Sequence, residues 1–276
     1  MRLFLLSLTT MLAFAANSVL NRAAVSQYGM DPFEFGAIRL CAGALVLILF
    51  VTATKRGFAF GGVGRVLGVL GLLAYVFGFS IAYLKLDAGF GALILFGVVQ
   101  ITMFSGAVIS REPLPFARWL GAGFAMGGLI WLLWPNGDVV VSISHAVLMV
   151  VAGIGWGVYS LQGRQETDAT QATAMNFLLA APFAVIVAAM VPSSGGLSTE
   201  GIALAIVSGA ITSGLGYALW YQIIPTLGAG RAAVAQLSVP VLAMGGGMIF
   251  LAEPLTLRFA IAAVLVIAGV LVSARG

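Results

Sequence analysis

The chain of 276 residues carries 13 Lys and Arg and 9 Asp and Glu, so charged residues make up 8% of it. Hydrophobic residues make up 61%, and the mean hydropathy is +1.11. This composition excludes a soluble enzyme, a nucleic-acid-binding protein and a disordered chain, because so few charges do not cover the surface of a soluble domain. It predicts a chain that lies in a bilayer over most of its length.

Apolar runs of about 20 residues, the length at which a helix crosses a bilayer, recur along the whole sequence. Ten such runs predict ten transmembrane helices, at 3–20, 33–52, 65–84, 89–109, 116–134, 142–161, 172–191, 201–221, 229–250 and 256–273. A β-barrel is a poor alternative because the runs are continuously apolar rather than alternating. The sequence therefore predicts an all-α polytopic membrane protein with no soluble domain.

The first span also resembles a secretory signal, since Arg2 precedes an apolar run and Ala13-Phe14-Ala15 matches a cleavage site. We expect this segment to stay as the first helix, because the repeat described below requires it. Cleavage after Ala15 is the open alternative.

Basic residues fall unequally on the two sides of the predicted bundle. If the N-terminus is cytoplasmic, the inner side holds nine of them and the outer side three. The inner set is Arg2, Lys55, Arg56, Arg65, Arg111, Arg118, Arg164, Arg231 and Arg275, and the outer set is Arg22, Lys85 and Arg258. Because Lys and Arg accumulate on the cytoplasmic side of membrane proteins, we expect both termini in the cytoplasm.

Two segments recur 141 positions apart. Leu86-Asp87-Ala88-Gly89 returns as Leu227-Gly228-Ala229-Gly230, and Glu112-Pro113-Leu114 returns as Glu253-Pro254-Leu255. Such self-similarity indicates an internal repeat of five spans. Because five is an odd number, the second copy enters the membrane from the opposite side, an arrangement typical of secondary transporters.

The repeat divides the chain into a first five-helix unit, residues 1–137, and a second, inverted unit, residues 138–276. Inverted repeats let one sequence form two related states, one open to each side of the membrane. A membrane enzyme or a structural subunit gains nothing obvious from this symmetry.

Three motifs resemble those of the drug/metabolite transporter superfamily and, more narrowly, its EamA-type bacterial exporters. They are LDAGFGAL before the fourth span, REPL before the fifth, and D-P-F-x-F-x-x-x-R from Asp31 to Arg39. The resemblance covers essentially the whole chain, although the seventh span lacks counterparts of Asp31-Pro32 and Arg39. It implies efflux of metabolites, amino acids among them, across the bacterial inner membrane by alternating access.

Polar and aromatic side chains inside the spans are the candidates for a midplane substrate site, because lipid does not satisfy their polar groups. We expect substrate binding by Asn17, Tyr75, Phe79, Gln100, Trp156, Tyr159, Tyr217 and Gln236. Tyr75 and Phe79 are four residues apart and therefore share a helical face. Helix packing is the alternative for Tyr75 and Tyr217, and a bridge between helices is the alternative for Gln100 and Gln236.

Arg39 is the basic residue that lies inside a predicted span. We expect it to pair with Glu34, five residues earlier, in preference to binding a substrate carboxylate. Pro240, in the ninth span, frees a backbone carbonyl and predicts a hinge. The repeats Gly123-x-x-x-Gly127 and Gly153-x-x-x-Gly157 predict close contacts between helices.

No Asp or Glu lies in the middle of a predicted span, so a drug cation would meet no buried countercharge there. We therefore expect an exporter of neutral or zwitterionic amphipathic metabolites, amino acids first and aromatic ones among them. The alternatives are a multidrug or other-metabolite exporter and a passive channel. A membrane enzyme is disfavoured, because the scattered carboxylates and the single His145 form no acid–base or metal cluster.

The expected partners follow from this interpretation. They are membrane lipid and a small-molecule substrate, with no nucleic acid, no cofactor and no metal, and we expect a monomer. The sequence leaves open which metabolite is carried, whether proton antiport or facilitated diffusion drives it, and the oligomeric state.

Overall fold

The computed structural model describes residues 2–54, 63–109, 115–134, 142–164, 166–193 and 195–274. These residues form helices joined by short loops, and they contain no strand. Two π-helical segments, Ala23–Gln27 and Ser208–Leu215, extend the first helix and join the eighth to the ninth. The α-helices are α1 (Arg2–Arg22), α2 (Pro32–Ala53), α3 (Val63–Ala82), α4 (Ala88–Ile109), α5 (Phe116–Leu133), α6 (Ile143–Gly163), α7 (Ala169–Met190), α8 (Thr199–Val207), α9 (Gly216–Gln236), α10 (Ser238–Leu251) and α11 (Leu257–Ala274).

Within the described residues, seven helices are long and apolar enough to cross a membrane, and three shorter apolar helices accompany them. Each of these helices overlaps one predicted span. Large apolar side chains such as Phe4, Leu45, Ile186 and Ile249 are exposed on the outer faces of the helices. An apolar exterior is what a hydrocarbon environment requires. The predicted class, an all-α polytopic membrane protein, is confirmed.

The D-P-F motif begins α2. The Asp31 carboxylate accepts hydrogen bonds from the backbone N–H groups of Phe33 and Glu34, at 2.8 and 3.3 Å, and Pro32 takes the first helical position. Proline suits this position because the N–H that it lacks has no partner inside the helix. At the start of α7, Asp168 caps the helix in the same way, without a proline.

Glycines set the close helix contacts. A Cβ at Gly153 would lie 2.7 Å from the Cβ of Val98, and one at Gly157 would lie 2.6 Å from that of Thr102. The predicted contact of this pair is therefore confirmed, and α6 packs with it on α4. A Cβ at Gly123 or Gly127 would meet nothing within 4 Å, so the predicted contact of that pair is wrong. Both residues lie on the exposed face of α5.

The predicted loop between the eighth and ninth spans, 222–228, is helical instead, and α9 continues to Gln236. The helix is interrupted at Leu237, three residues before Pro240. Pro240 has no N–H to bond the carbonyl of Gln236, and its ring crowds that group, so the interruption falls where a proline breaks a helix. The structure thus places a helix break beside Pro240, whereas a hinge motion there stays a prediction.

Several residues on which the predicted repeat and the predicted orientation depend lie outside the described residues. They are Lys55, Arg56, Arg111 to Leu114 and Arg275. The repeat boundaries and the cytoplasmic termini therefore stay predictions.

The contact between α2 and the π-helical segment Ser208–Leu215 depends on Gly209. A Cβ at this position would overlap the carbonyl oxygen of Arg39, and a Cβ at Gly43 would lie 2.8 Å from the carbonyl oxygen of Gly209.

We expect Gly209→Ala to cost about 1–3 kcal/mol of stability through overpacking and to lower the unfolding midpoint measured in detergent. The matched control is Gly127→Ala, which places its methyl in open space. Equal midpoints for the two variants would contradict this account.

Candidate functional site

An aromatic cluster occupies the centre of the molecule. Phe14 of α1, Tyr75 of α3, Trp156 of α6 and Tyr217 of α9 pack around one another, with Phe79 beside Tyr75. The Trp156 ring lies 4.6 Å from that of Tyr217, 5.1 Å from that of Tyr75 and 5.2 Å from that of Phe14, measured between centroids. All five side chains are buried. The cluster therefore joins four helices that are distant in the sequence.

The Arg39 side chain points from α2 into this cluster and is 0% exposed. Its Nε donates to the Ser213 hydroxyl at 2.8 Å, and its Nη2 donates to the hydroxyls of Tyr75 and Tyr217 at 3.0 and 2.5 Å. The Tyr217 hydroxyl in turn donates to that of Tyr75 at 2.9 Å. The guanidinium carbon lies 5.1 Å from the Tyr75 ring centre and 5.3 Å from that of Phe79. These partners are all neutral.

Asn17 connects α1 to the π-helical segment Ser208–Leu215. Its Oδ1 accepts hydrogen bonds from the hydroxyls of Ser208, Thr212 and Ser213. Its Nδ2 donates to the Thr212 carbonyl at 3.3 Å and to the Tyr217 hydroxyl at 3.2 Å. The Ser213 hydroxyl bonds both Asn17 and Arg39, so the amide and the guanidinium belong to one network. π-Helical turns inside α-helices are frequent at functional sites.

Seven of the eight predicted binding residues meet in this centre. Tyr159 stacks on Trp156 at 5.4 Å, and the Trp156 Nε1 donates to the Gln236 Oε1 at 3.2 Å. Gln100 is half-buried on α4, whereas the other seven are buried. The structure thus gathers these seven side chains, and their role in binding stays a prediction.

The structure does not pair Arg39 with Glu34. Five residues along a helix turn the direction of a side chain by about 140°, so the two residues point to different sides of α2. Arg39 points at the hydroxyl groups of the core, while the Glu34 Oε2 is buried and has no hydrogen-bond partner in the described part of the chain. The predicted ion pair is corrected to a network of neutral partners around Arg39.

Sequence reasoning missed three hydroxyl residues of this site: Ser208, Thr212 and Ser213. The available signal was the i, i+4 spacing of Ser208 and Thr212, which brings their hydroxyls to one side of a helix that also contains Gly209 and Gly214. In an otherwise apolar span, such a set of donors indicates a polar partner inside the protein.

One end of the core is held by a charged cluster around Arg22, and we name it the Arg22 end. Arg22 pairs with Asp87 at 3.3 Å and with Glu253 at 3.2 Å, and it donates to the carbonyls of Tyr83 and Leu84. Both Glu253 oxygens accept from the Ala88 N–H, at 3.0 and 2.8 Å. This cluster joins the end of α1, the start of α4 and the α10–α11 loop.

Although it lies in a loop, the Glu253 side chain is only 5% exposed. Burial raises the pKa of its carboxyl above the usual range for Glu, while the hydrogen bond from Ala88 and the charge of Arg22 act in the opposite direction. Protonation of Glu253 would remove its ion pair with Arg22.

A second charged cluster holds the opposite end, which we name the Arg65 end. Arg65 at the start of α3 pairs with Glu166 at 2.9 Å and donates to the Ala172 carbonyl and to the Asn176 Oδ1, at 2.9 and 3.0 Å. Beneath it, the Tyr221 hydroxyl donates to the Tyr159 carbonyl at 2.8 Å. This cluster joins α3 to α7 and to the loop that precedes α7.

The two charged clusters are separated by the length of α3. From Arg65 to Tyr83 the rise along a helix is about 27 Å, close to the thickness of the hydrocarbon core. The aromatic cluster lies between them, since Tyr75 is ten residues from Arg65 and eight from Tyr83. The described residues therefore form a buried centre that lies between the two charged clusters.

The comparison with known proteins identifies a family. A model described as the EamA-like transporter family matches residues 1–134 and 143–275. An uncharacterized protein of Pseudomonas aeruginosa is 42% identical over 269 residues, which cover 98% of this chain and 93% of that protein. The threonine/homoserine exporter RhtA of Escherichia coli is 31% identical over 232 residues, which cover 80% of this chain and 74% of the exporter.

More distant relatives extend the similarity. The uncharacterized transporter YoaV of Bacillus subtilis is 22% identical over 268 residues, which cover 89% of this chain and 88% of YoaV. A crystal structure with 19% sequence identity superimposes with a TM-score of 0.72 over 98% of this chain and 96% of that one. The chain therefore shares its fold with a solved protein over nearly its whole length.

Ser213 is the hydroxyl on which the buried network depends most directly. In Ser213→Ala, the Nε–H of Arg39 loses its acceptor inside the protein, and an unsatisfied buried donor costs about 1–3 kcal/mol. We expect a lower unfolding midpoint in detergent than for Ser105→Ala, which removes an exposed hydroxyl that bonds only the carbonyl of Ile101. A Ser213→Ala midpoint as high as that of the control would show that the network does not stabilise the core.

Proposed function

This chain belongs to the EamA-like transporter family, and from that premise we propose that it exports small amphipathic metabolites, amino acids first among them, by alternating access. The predicted resemblance to this family is confirmed, and the chain is therefore a transporter. The substrate, the direction of transport and the mechanism are the proposal.

The observation that carries the proposal is the buried polar and aromatic centre between two charged clusters. Arg22, Asp87 and Glu253 hold one end, and Arg65 and Glu166 hold the other. A carrier needs a central site that is reached from one side at a time, and ion pairs in the loops can serve as latches for each side. A passive channel needs a continuous pore, whereas buried aromatic rings fill the centre here.

The chemistry of the centre favours zwitterionic substrates. Its rings offer apolar surface, while Asn17, Arg39 and the hydroxyls around them offer donors and acceptors. The 31% identity to RhtA, a threonine/homoserine exporter, supports amino acids as the class to test first. Aromatic amino acids fit the same surfaces, because rings stack favourably on rings.

We place both termini in the cytoplasm of a bacterial cell, on the basis of the nine inner and three outer basic residues. In this orientation the Arg65 end faces the cytoplasm and the Arg22 end faces outward. Substrate then enters at the Arg65 end and leaves at the Arg22 end.

The proposed function is tested with purified protein in liposomes. We expect saturable counterflow of labelled L-threonine, inhibited by unlabelled homoserine, phenylalanine and tryptophan in proportion to their affinity. Protein-free liposomes measure the leak. A panel of neutral amino acids that shows no saturable flux would overturn amino-acid transport, and flux of drug cations in its place would favour a multidrug exporter. Ion conductance without saturation would favour a channel.

The latch at each end is tested with one reporter thiol. In a Cys41→Ala background, Ser208→Cys places a thiol in the core, and an impermeant maleimide is added from one side. We expect Glu253→Gln to raise labelling several-fold from the side of the Arg22 end, and Glu166→Gln to raise it from the other side. The control Glu200→Gln alters an exposed carboxylate at the start of α8. Equal labelling from both sides in both variants would contradict two separate latches.

The Arg22 latch also predicts a pH dependence. The ion pair requires an ionised Glu253, so it is present above the pKa of this carboxyl and lost as the pH falls through it. Because burial raises that pKa, the loss begins at a higher pH than for an exposed Glu. Labelling from the Arg22 end should therefore rise on acidification, and Glu253→Gln should abolish the pH response. A response that persists in this variant would assign it to another group.

A further inference from the structure

We propose that Arg39 binds the carboxylate group of the transported substrate, an inference that rests on the proposed function and names the group that its site recognises. Three observations carry it: the guanidinium is fully buried, its described partners are neutral, and one of its nitrogens has no partner among the described residues.

Two other arginines of low exposure, Arg22 and Arg65, differ from Arg39 in their partners. Arg22 bonds two carboxylates, those of Asp87 and Glu253, and Arg65 bonds that of Glu166. Arg39 is the most deeply buried of the three, yet its partners among the described residues are the hydroxyls of Ser213, Tyr75 and Tyr217. Because arginine keeps its charge in proteins, this centre carries a positive charge that no described carboxylate bonds.

The neutral partners carry no charge that balances that of Arg39. Burial of an ion without a counterion is costly even after the surroundings relax. The rings of Tyr75 and Phe79 offset part of this cost through cation–π contacts. An anion in the core would supply the negative charge that these rings lack.

The unused donors define where the anion binds. Nε and Nη2 are occupied, whereas Nη1 is buried and has no hydrogen-bond partner among the described residues. Both N–H groups of Nη1 are therefore available to an oxygen acceptor. They diverge from one nitrogen, so a carboxylate accepts a charge-assisted hydrogen bond from Nη1, and a second, parallel bond would require it to displace a tyrosine hydroxyl from Nη2.

The surroundings of Arg39 also suit the ammonium group of an α-amino acid. The rings of Phe14 and Trp156 pack against Tyr217, whose hydroxyl bonds Arg39. Aromatic faces attract ammonium groups. The carboxylate of an α-amino acid would bind Arg39, and its ammonium would face these rings.

The test compares two probes that differ at the carboxylate. L-threoninol has a hydroxymethyl group where L-threonine has a carboxylate, and both carry the same ammonium and side chain. We expect the wild type in detergent to bind threonine at least tenfold more tightly than threoninol. Arg39→Gln should weaken threonine binding at least tenfold and bring the ratio of the two affinities close to one. Arg39→Lys, which keeps the charge and loses the planar fork, should give an intermediate ratio.

The control variant is Lys85→Gln, which removes an exposed cation and should keep the wild-type ratio. A wild type without preference for threonine, or an Arg39→Gln variant that keeps the preference, would overturn the inference. Should Arg39→Gln fail to fold, the wild-type ratio and Arg39→Lys decide the matter.

The outcomes also separate this inference from the proposed function. Saturable transport of threonine together with equal binding of threoninol would overturn the carboxylate site and leave amino-acid export standing. L-lactate is a carboxylate without an ammonium. Binding of L-lactate that depends on Arg39, with no binding of any amino acid, would overturn amino-acid export and leave the carboxylate site standing. Saturable binding of none of these probes would overturn both.

Discussion

The burial of one guanidinium in the middle of a membrane protein is the constraint around which the rest of this structure is organised. Arg39 needs hydrogen-bond partners that do not come from its own helix, so α3 and α9 each supply a tyrosine and the π-helical segment supplies Ser213. The segment reaches α2 because Gly209 has no side chain at the contact. Asn17 then fixes the same segment to α1. The hydrogen bonds of a single charge therefore hold α2, α3, α9 and the π-helical segment together, and Asn17 connects α1 to them.

The charged residues at the two ends of the core have a different role. At the Arg22 and Arg65 ends, cations meet carboxylates that belong to neighbouring loops, and each cluster holds together elements that are far apart in the sequence. In the Arg22–Asp87 and Arg65–Glu166 pairs the carboxylate side chains are 41% and 28% exposed, so these pairs are weak enough to break when a loop moves. A hydrogen bond of the core network costs more to break, because breaking it leaves a buried polar group without a partner in apolar surroundings. Weak contacts at both ends of a strongly connected centre are what alternating access requires.

The sequence predicted the helices well and the polar contacts poorly, for physical reasons. A span must be apolar over the thickness of the bilayer, so its signal is local and ten runs were recognisable without any knowledge of packing. The spacing of Tyr75 and Phe79 is equally local. The partners of Arg39 are not, since Ser213 and Tyr217 lie more than 170 positions away. The Glu34–Arg39 pairing was inferred from proximity along the chain, which helix geometry does not support. Glu253 was placed in a loop, and only the fold shows that the loop is folded against Ala88 and buried.

The uncompensated charge of Arg39 has a consequence for kinetics. On the proposed mechanism, the carrier loaded with a zwitterion closes around a paired guanidinium, whereas the empty carrier must close around an unpaired one. Pairing stabilises the closed form of the loaded carrier relative to that of the empty carrier. Each 1.4 kcal/mol of this difference makes the loaded carrier reorient about tenfold faster than the empty one. The return of the empty carrier is then the slow step of the cycle. Substrate on the far side would accelerate efflux by loading the carrier for its return, so homoexchange would run faster than net export.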